Sequence, residues 1–256
     1  MKTNLPYLLI VMLFVACTGC LNKGPRQAES QKQADTLTVP DTGFTGIRRY
    51  YSKNLLVKEV TFKNGIRQGL MKTFYQNGKL YQTFWYENGM REDTARWYFE
   101  DGRVFRETLY KKDSMDGFQT QYYKSGMVRA RLSYVRGIRT PFLEEFTSEG
   151  TKISGYPEII VDIKDDYSKN GTCRIYLELS KKDVKANFYR GEYIDGLFMP
   201  KKYIKLNINE YKGYLTLRKS GASGNNFVVI IAEISTGLGN KYLTYKKIDL
   251  PYNDLK

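Results

Sequence analysis

The chain contains no histidine in 256 residues. That removes the side chain that titrates nearest neutral pH, the commonest metal ligand and every nucleophile built on an imidazole base. Cysteine is nearly absent too: Cys17, Cys20 and Cys173 are the whole supply, and they do not make up a zinc site. Two tryptophans and seven prolines complete the scarce residues. Ser220–Gly224 superficially resembles a glycine-rich phosphate loop, yet no helical pattern follows it, and a hairpin loop is the expected reading. The carboxylates Glu144, Glu145, Asp162, Asp165 and Asp166 are left as candidates for acid–base work of the kind used on glycosidic bonds. Asp165 and Asp166 fall in a polar turn beside Lys164 and Lys169, and calcium would need more oxygen ligands than that stretch offers. The expectation is a protein without catalytic residues, without a metal and without a cofactor.

What is abundant is tyrosine, at 22 residues, within an aromatic content of 14%. Tyrosine suits a half-buried pleated surface, so the chain should be rich in β-structure. The formal charge is +14, divided as +1 over residues 1–45, +8 over 46–155 and +5 over 156–256. Charge spread this way favours solubility and loose attraction to anionic surfaces. No recognition motif for nucleic acid accompanies it, so no nucleic-acid partner is expected.

Residues 1–20 read as a secretion leader. Lys2 gives the positive start, and Leu5 to Ala16 is an apolar run broken only by Pro6. That run is shorter than the ~20 residues a bilayer span requires. The following Phe14-Val15-Ala16-Cys17-Thr18-Gly19-Cys20 resembles the lipobox of bacterial lipoproteins, in which a cysteine after a small residue receives the lipid. Cys17 follows Leu-Phe-Val-Ala and Cys20 follows Thr-Gly, so both are candidates for lipidation. The resemblance implies a lipid-anchored protein of the bacterial cell envelope, held to the outer membrane. Residues 21–45 are polar, lack the apolar surface to fold alone and read as a disordered tether. A flexible chain of that length spans roughly 25–30 Å. Cys173, in an apolar run, is expected to be a buried small hydrophobe.

Through residues 46–155 glycine returns on a fixed beat. Gly65, Gly89 and Gly137 lie on one ladder of 24 residues, with Asp113 on the missing rung; Gly78, Gly102, Gly126 and Gly150 lie on a second, offset by 13. An aromatic ring precedes nearly every rung by three residues: Phe62, Tyr75, Tyr86, Phe99, Tyr110, Tyr123 and Tyr134, with Thr147 the lapse. A period in this range marks a repeat architecture. Each step is one strand and one turn, which predicts an antiparallel meander of eight or nine strands. Asn77-Gly78 and Asp101-Gly102 predict two-residue hairpin turns on the second ladder, with positive φ at both central positions. Longer turns are expected on the first ladder, at Asn64–Gly69, Asn88–Asp93, Lys112–Gly117 and Arg136–Pro141.

The stretch FYQNGKLYQTFWYENGMREDTARWYFEDG, an aromatic, then Asn or an acid, then glycine and a basic residue, resembles the variant MORN repeat of bacteria. The likeness runs over residues 60–150, about four units, and departs from the pattern at Asp113, Pro141 and Thr147. It implies an elongated stack of β-hairpins and, since such repeats are mostly scaffolds, no particular activity. Some bacterial relatives carry an antitoxin-like label.

Residues 156–256 lose the beat. Seven β-prone segments replace it: 158–163, 173–179, 186–190, 203–208, 214–218, 227–234 and 242–248. Seven short strands in about a hundred residues predict a two-sheet sandwich, immunoglobulin-like in its broad form but without the Cys-Trp-Cys signature. Phe227–Ala232, apolar without alternation, should be its central strand, buried on both sides.

Two surfaces are candidates for binding. Arg67, Arg91 and Arg139 share one place in the repeat, two residues past the rung, and in register would line one edge of the sheet, either to meet anionic groups or simply to keep the edge soluble. The pairs Phe74-Tyr75, Tyr98-Phe99 and Tyr122-Tyr123 put rings on both faces of a single-layer sheet, since adjacent strand residues point opposite ways. One face should then hold half-exposed rings, with Trp85, Tyr98 and Tyr122 as contacts for a protein or glycan. Asp35-Thr36-Leu37, Asp93-Thr94-Ala95 and Asp113-Ser114-Met115 resemble an O-glycosylation triplet. The resulting expectation is a non-catalytic anchored scaffold or binding module for a protein or glycan partner, meeting the membrane through its N-terminal lipid. An antitoxin or immunity protein and a carboxylate-dependent glycan-active enzyme are the alternatives.

Overall fold

Alternation of ring, turn and glycine does produce the meander. The computed structural model describes residues 43–256 apart from 210 and 223. The leader, Cys17, Cys20, nearly all of the tether and the triplet at residue 35 lie outside the described residues. Nine strands follow one another and pair antiparallel in sequence order: β1 Gly46–Ser52, β2 Leu55–Lys63, β3 Ile66–Phe74, β4 Leu80–Glu87, β5 Met90–Tyr98, β6 Val104–Lys111, β7 Ser114–Tyr122, β8 Val128–Val135 and β9 Ile138–Glu145.

The two turn types are the reverse of the sequence expectation. The first ladder carries the two-residue turns: Asn64 and Gly65 have φ of 52° and 76°, and Lys63 pairs directly with Ile66. Asn88-Gly89, Lys112-Asp113 and Arg136-Gly137 repeat this. On the second ladder only the glycine is left-handed, as at Gly78 (79°) and Gly102 (90°). There the Tyr75 amide donates to the Lys79 carbonyl (2.8 Å) and the Gly78 amide to the Tyr75 carbonyl (3.0 Å). This is a three-residue loop, a type I turn closed by a left-handed residue. The residue before the glycine is polar for a different reason than positive φ. Asn77 Oδ1 accepts from the Lys79 amide and Asp101 Oδ1 from the Arg103 amide, both at 3.0 Å. The longer first-ladder turns expected from sequence are a two-residue turn followed by a bulge, with Gly69, Asp93 and Gly117 at positive φ. At Gly102 a side chain would meet nothing within 4 Å. Gly102→Ala should therefore cost only the backbone strain, about 1–2 kcal/mol, read from the urea midpoint.

Turns are stitched to the preceding hairpin. The amides of Gly65, Gly89, Asp113 and Gly137 donate to the carbonyls of Phe44, Arg67, Arg91 and Met115, at 2.7–3.0 Å. At the other edge the Tyr75 hydroxyl donates to the Tyr98 carbonyl (2.5 Å) and Tyr123 to Phe146 (2.7 Å).

Residues directly opposite in an antiparallel pair share a face. Thr73, Gln82, Trp97, Arg106, Gln121, Ala130 and Glu145 form one such line across β3 to β9. This inner face carries the meander's core of Val60, Met71, Phe84, Tyr86, Ala95 and Trp97. A single layer buries these partly by laying long cations over rings: the Arg106 guanidinium sits 4.0 Å from the Trp97 ring.

Eight strands make the sandwich: β10 Ile159–Asp166, β11 Thr172–Leu179, β12 Ala186–Arg190, β13 Ile204–Lys205, β14 Asn207–Asn209, β15 Lys212–Arg218, β16 Phe227–Ser235 and β17 Lys241–Asp249. The sheets run β10-β11-β15-β14 and β13-β12-β16-β17. In chain order this is the ABED and C′CFG arrangement of an immunoglobulin-like fold. The expected segment 203–208 is two strands in different sheets. The chain changes sheet at buried Leu206, whose amide donates to the Phe188 carbonyl (2.9 Å). β16 is central, and its Ile230, Ile231 and Ala232 are buried. Cys173 is buried and free in the core between the sheets.

Meander and sandwich belong to one compact unit. The β16–β17 turn, Thr236–Asn240, sits on the inner face of the last strands. Thr236 Oγ1 and Asn240 Nδ2 each donate to Glu145 Oε1 at 2.7 Å, and the Tyr156 hydroxyl donates to Oε2 at 2.9 Å. Gln121 Nε2 donates to Asn240 Oδ1 (2.9 Å) and Arg129 Nη2 to the Leu238 carbonyl (2.6 Å). The outer edge of β9 is met by the Phe198 amide, which donates to the Arg139 carbonyl (2.9 Å).

Candidate binding face

The three repeat arginines do not line an exposed edge. In a two-residue turn, the residue three before the rung pairs with the residue two after it, and the structure shows Phe62 opposite Arg67, Tyr86 opposite Arg91 and Tyr134 opposite Arg139. All three arginines therefore rise from the inner face. Arg67 lies 5.3 Å from the Tyr86 ring, and Arg91 lies 4.5 Å from the Tyr110 ring. Arg91 Nε also donates to Asp113 Oδ1 at 2.9 Å, so the residue that replaces the missing glycine rung pairs with the arginine. Arg139 is enclosed at the junction with the sandwich. Desolvation lowers its pKa, opposed by Tyr134, Glu233, Tyr193 and Glu145. Its Nε and Nη2 are buried without a hydrogen-bond partner among the described residues.

Trp85, Tyr98 and Tyr122 share the other, outer face, because each adjoins an inner-face residue on its strand. Trp85 is 41% exposed. It stands between Leu70 and Glu92, its partners on β3 and β5. Tyr98 and Tyr122 are half-buried. The Tyr122 hydroxyl donates to Glu107 Oε2 at 2.7 Å, and Glu107 Oε1 accepts from Arg96 Nε at 2.8 Å. Burial, then this bond to Glu107, pushes the Tyr122 phenol up to about 12. A raised phenol pKa stabilises the fold below the unfolded value of about 10, and that contribution is lost as pH rises through about 12. Tyr122→Phe should flatten the loss of stability between pH 10 and 12, measured by urea unfolding at stepped pH.

Sequence reasoning missed the strongest feature of this face, a line of exposed apolar side chains. Leu70 (37%), Trp85, Leu109 (40%), Phe118 (56%) and Phe142 (38%) cross from β3 to β9. Phe118 and Phe142 meet edge to face with centroids 5.4 Å apart. The signal was present: positions 70, 94, 118 and 142 are 24 apart, as are 85, 109 and 133, and five of these seven are large apolar residues, with Thr94 and Ser133 the lapses. Among the described residues, the opposite edge holds three exposed large apolar side chains at its turns, Tyr51, Leu55 and Met127.

The candidate acids are occupied locally. Glu144 pairs with Lys152 (2.7 Å), and Glu145 is the junction acceptor. Asp165 accepts from the Tyr252 hydroxyl (3.0 Å), and Asp166 lies near Lys164 and Lys169. Asp162 lies opposite Tyr176 in the sheet. A concavity of about 360 Å³ beside β16 has Glu192 as its one acidic side chain among the described residues. Thr94 of the second triplet is half-buried, and Ser114 of the third lies just past a two-residue turn.

Residues 67–84, the segment from β3 through its three-residue loop into β4, match the family model described as MORN repeat variant. No curated protein matches the chain.

Proposed function

We propose, for a chain that carries the MORN repeat variant on a nine-strand meander joined to a β-sandwich, a non-catalytic protein of the bacterial cell envelope. It is anchored through lipid on Cys17 or Cys20 and holds a protein partner on the outer face of its repeats. The observation that carries this reading is the apolar line through Trp85 and Phe118. Exposed contiguous apolar surface on a soluble sheet marks an interaction site. The inner face has its core in place and Arg67, Arg91 and Arg106 laid over rings, and its last strands are covered by the sandwich, so the outer face is the one open to a partner. A tether between lipid and sheet would hold that face clear of the head groups.

The test is capture from native membranes with the full chain and with Trp85→Ser. The variant should lose the partner while keeping the wild-type melting curve, because Trp85 is exposed and outside the buried core. Retention of the same partners by Trp85→Ser sinks the outer face as the site. Intact mass of the native protein and of Cys17→Ser and Cys20→Ser checks the anchor separately.

A further inference from the structure

We infer that the apolar line on the outer face takes an acidic amphipathic helix of a partner protein, lying across the strands. This rests on the reading that the outer face captures a protein, and names what that partner presents. The line runs across the strands, with Leu70 on β3, Trp85 on β4, Leu109 on β6, Phe118 on β7 and Phe142 on β9, while Thr94 on β5 and Ser133 on β8 are its two polar positions.

Strands lie about 4.8 Å apart, so the hairpin repeat is about 9.6 Å and six spacings cover about 29 Å. An apolar stripe on a helix recurs every three or four residues, at about 5.3 Å on average, and every seven at about 10.5 Å. Both intervals fall within about a tenth of the strand and hairpin spacings, and about 19 residues cover the line. An extended segment repeats its face every 6.6–6.8 Å or so, and that period fits neither spacing. Leu70 and Trp85, and Leu109 and Phe118, are one strand apart, close to one helical turn, and Phe142 is two strands beyond Phe118, close to two turns, so these side chains can seat one face of a helix in the manner of a helix in a groove.

Charge chooses the sign of the helix flanks. Lys63, Lys111, Lys112 and Arg136 border the line at the turns, and Arg131 borders it on the strand side. All five are exposed and make no ion pair among the described residues. Glu87, Glu92 and Asp116 oppose them, and Glu144, opposite Arg131, is already paired with Lys152, which leaves the border net positive. Acidic flanks on the helix would meet this border, with faster encounter and selection against basic helices.

Three designed peptides of about 21 residues, three heptads each, test the inference on the full chain. One is a leucine-striped helix with glutamate flanks, one the same helix with lysine flanks, and one an acidic peptide with leucine at alternate positions. Binding is followed by the emission of Trp85, with Trp85→Phe as the blank because Trp97 is buried. The acidic helix should saturate the protein, shift Trp85 emission to the blue and bind roughly tenfold tighter than its lysine counterpart. Phe118→Glu should weaken it by a similar factor. Equal binding of both helices, tighter binding of the alternating peptide, or no binding of any peptide overturns the inference. A Trp85 shift with phosphatidylglycerol vesicles but not with the acidic helix overturns it in favour of a membrane surface. If Trp85→Ser loses its membrane partner while the acidic helix does not bind, the helix is wrong and the capture face stands. If Trp85→Ser keeps its partner, the capture face itself has failed.

Discussion

Glu145→Ala should remove about 3–5 kcal/mol of stability, since it breaks a buried, fully hydrogen-bonded carboxylate site. Glu145 is 1% exposed and accepts from Thr236, Asn240 and Tyr156. Alanine leaves three donors without their acceptor, one of them the buried Asn240 and two, Thr236 and Tyr156, half-buried. It also removes a negative charge that supports the desolvated Arg139. For a body of this size the loss corresponds to a fall in Tm of roughly 6–20 °C. Glu145→Gln keeps the shape and one acceptor oxygen, so its loss should be smaller, about 1–2 kcal/mol. Because the acceptor is on β9 and two of its donors are on the β16–β17 turn, the alanine variant should also split one melting transition into two. Near-ultraviolet and far-ultraviolet dichroism would then no longer coincide. A variant within about 1 kcal/mol of wild type, melting in one step, would mean that the junction is held by other contacts.

Phe188→Ala should be nearly as damaging, at about 3–5 kcal/mol, through the cavity it leaves between the two sheets of the sandwich. Phe188 is fully buried on β12, and its ring lies against the backbone of Gly213 on β15. A Cβ at position 213 would meet Phe188 Cδ2 at 2.8 Å. Gly213→Ala alone should therefore overpack the core and cost about 1–3 kcal/mol. In the double variant the methyl enters space vacated by the ring, so the combined loss should fall short of the sum of the single losses. Additive losses in urea unfolding would show that Gly213 is needed for its backbone and not for the room it leaves.

The meander was legible because its repeat is local. Ring, turn and glycine recur within one hairpin, and the nine strands follow from counting them. The turn types were not legible from dipeptides. Asn-Gly occurs on both ladders, and the hydrogen bond that the Lys79 amide donates to Asn77 Oδ1 separates its second-ladder role from positive φ. That error carried over to Arg67 and Arg91. With two-residue turns assigned to the first ladder, their opposition to Phe62 and Tyr86 would have followed from register alone. Trp85, Tyr98 and Tyr122 were placed together by strand alternation, while Phe118 and Phe142 lie outside the pattern of a ring three residues before each rung. Glu145 could not be found this way. Its partners are 91 and 95 residues further along the chain in the sandwich, and nothing local distinguishes it from Glu144. The segment 203–208 reads as one strand because pattern reports β-propensity and not which sheet receives it.

The sheet is closed at β9 by the sandwich, and the stitches within it run only between adjacent hairpins. Nothing in such an array fixes how many hairpins it holds. Removing or duplicating one 24-residue block between β2 and β7 would shorten or lengthen the sheet by about 10 Å and leave the Glu145 junction intact. Reach toward a partner is thus adjustable by recombination in whole blocks, without any new folding problem.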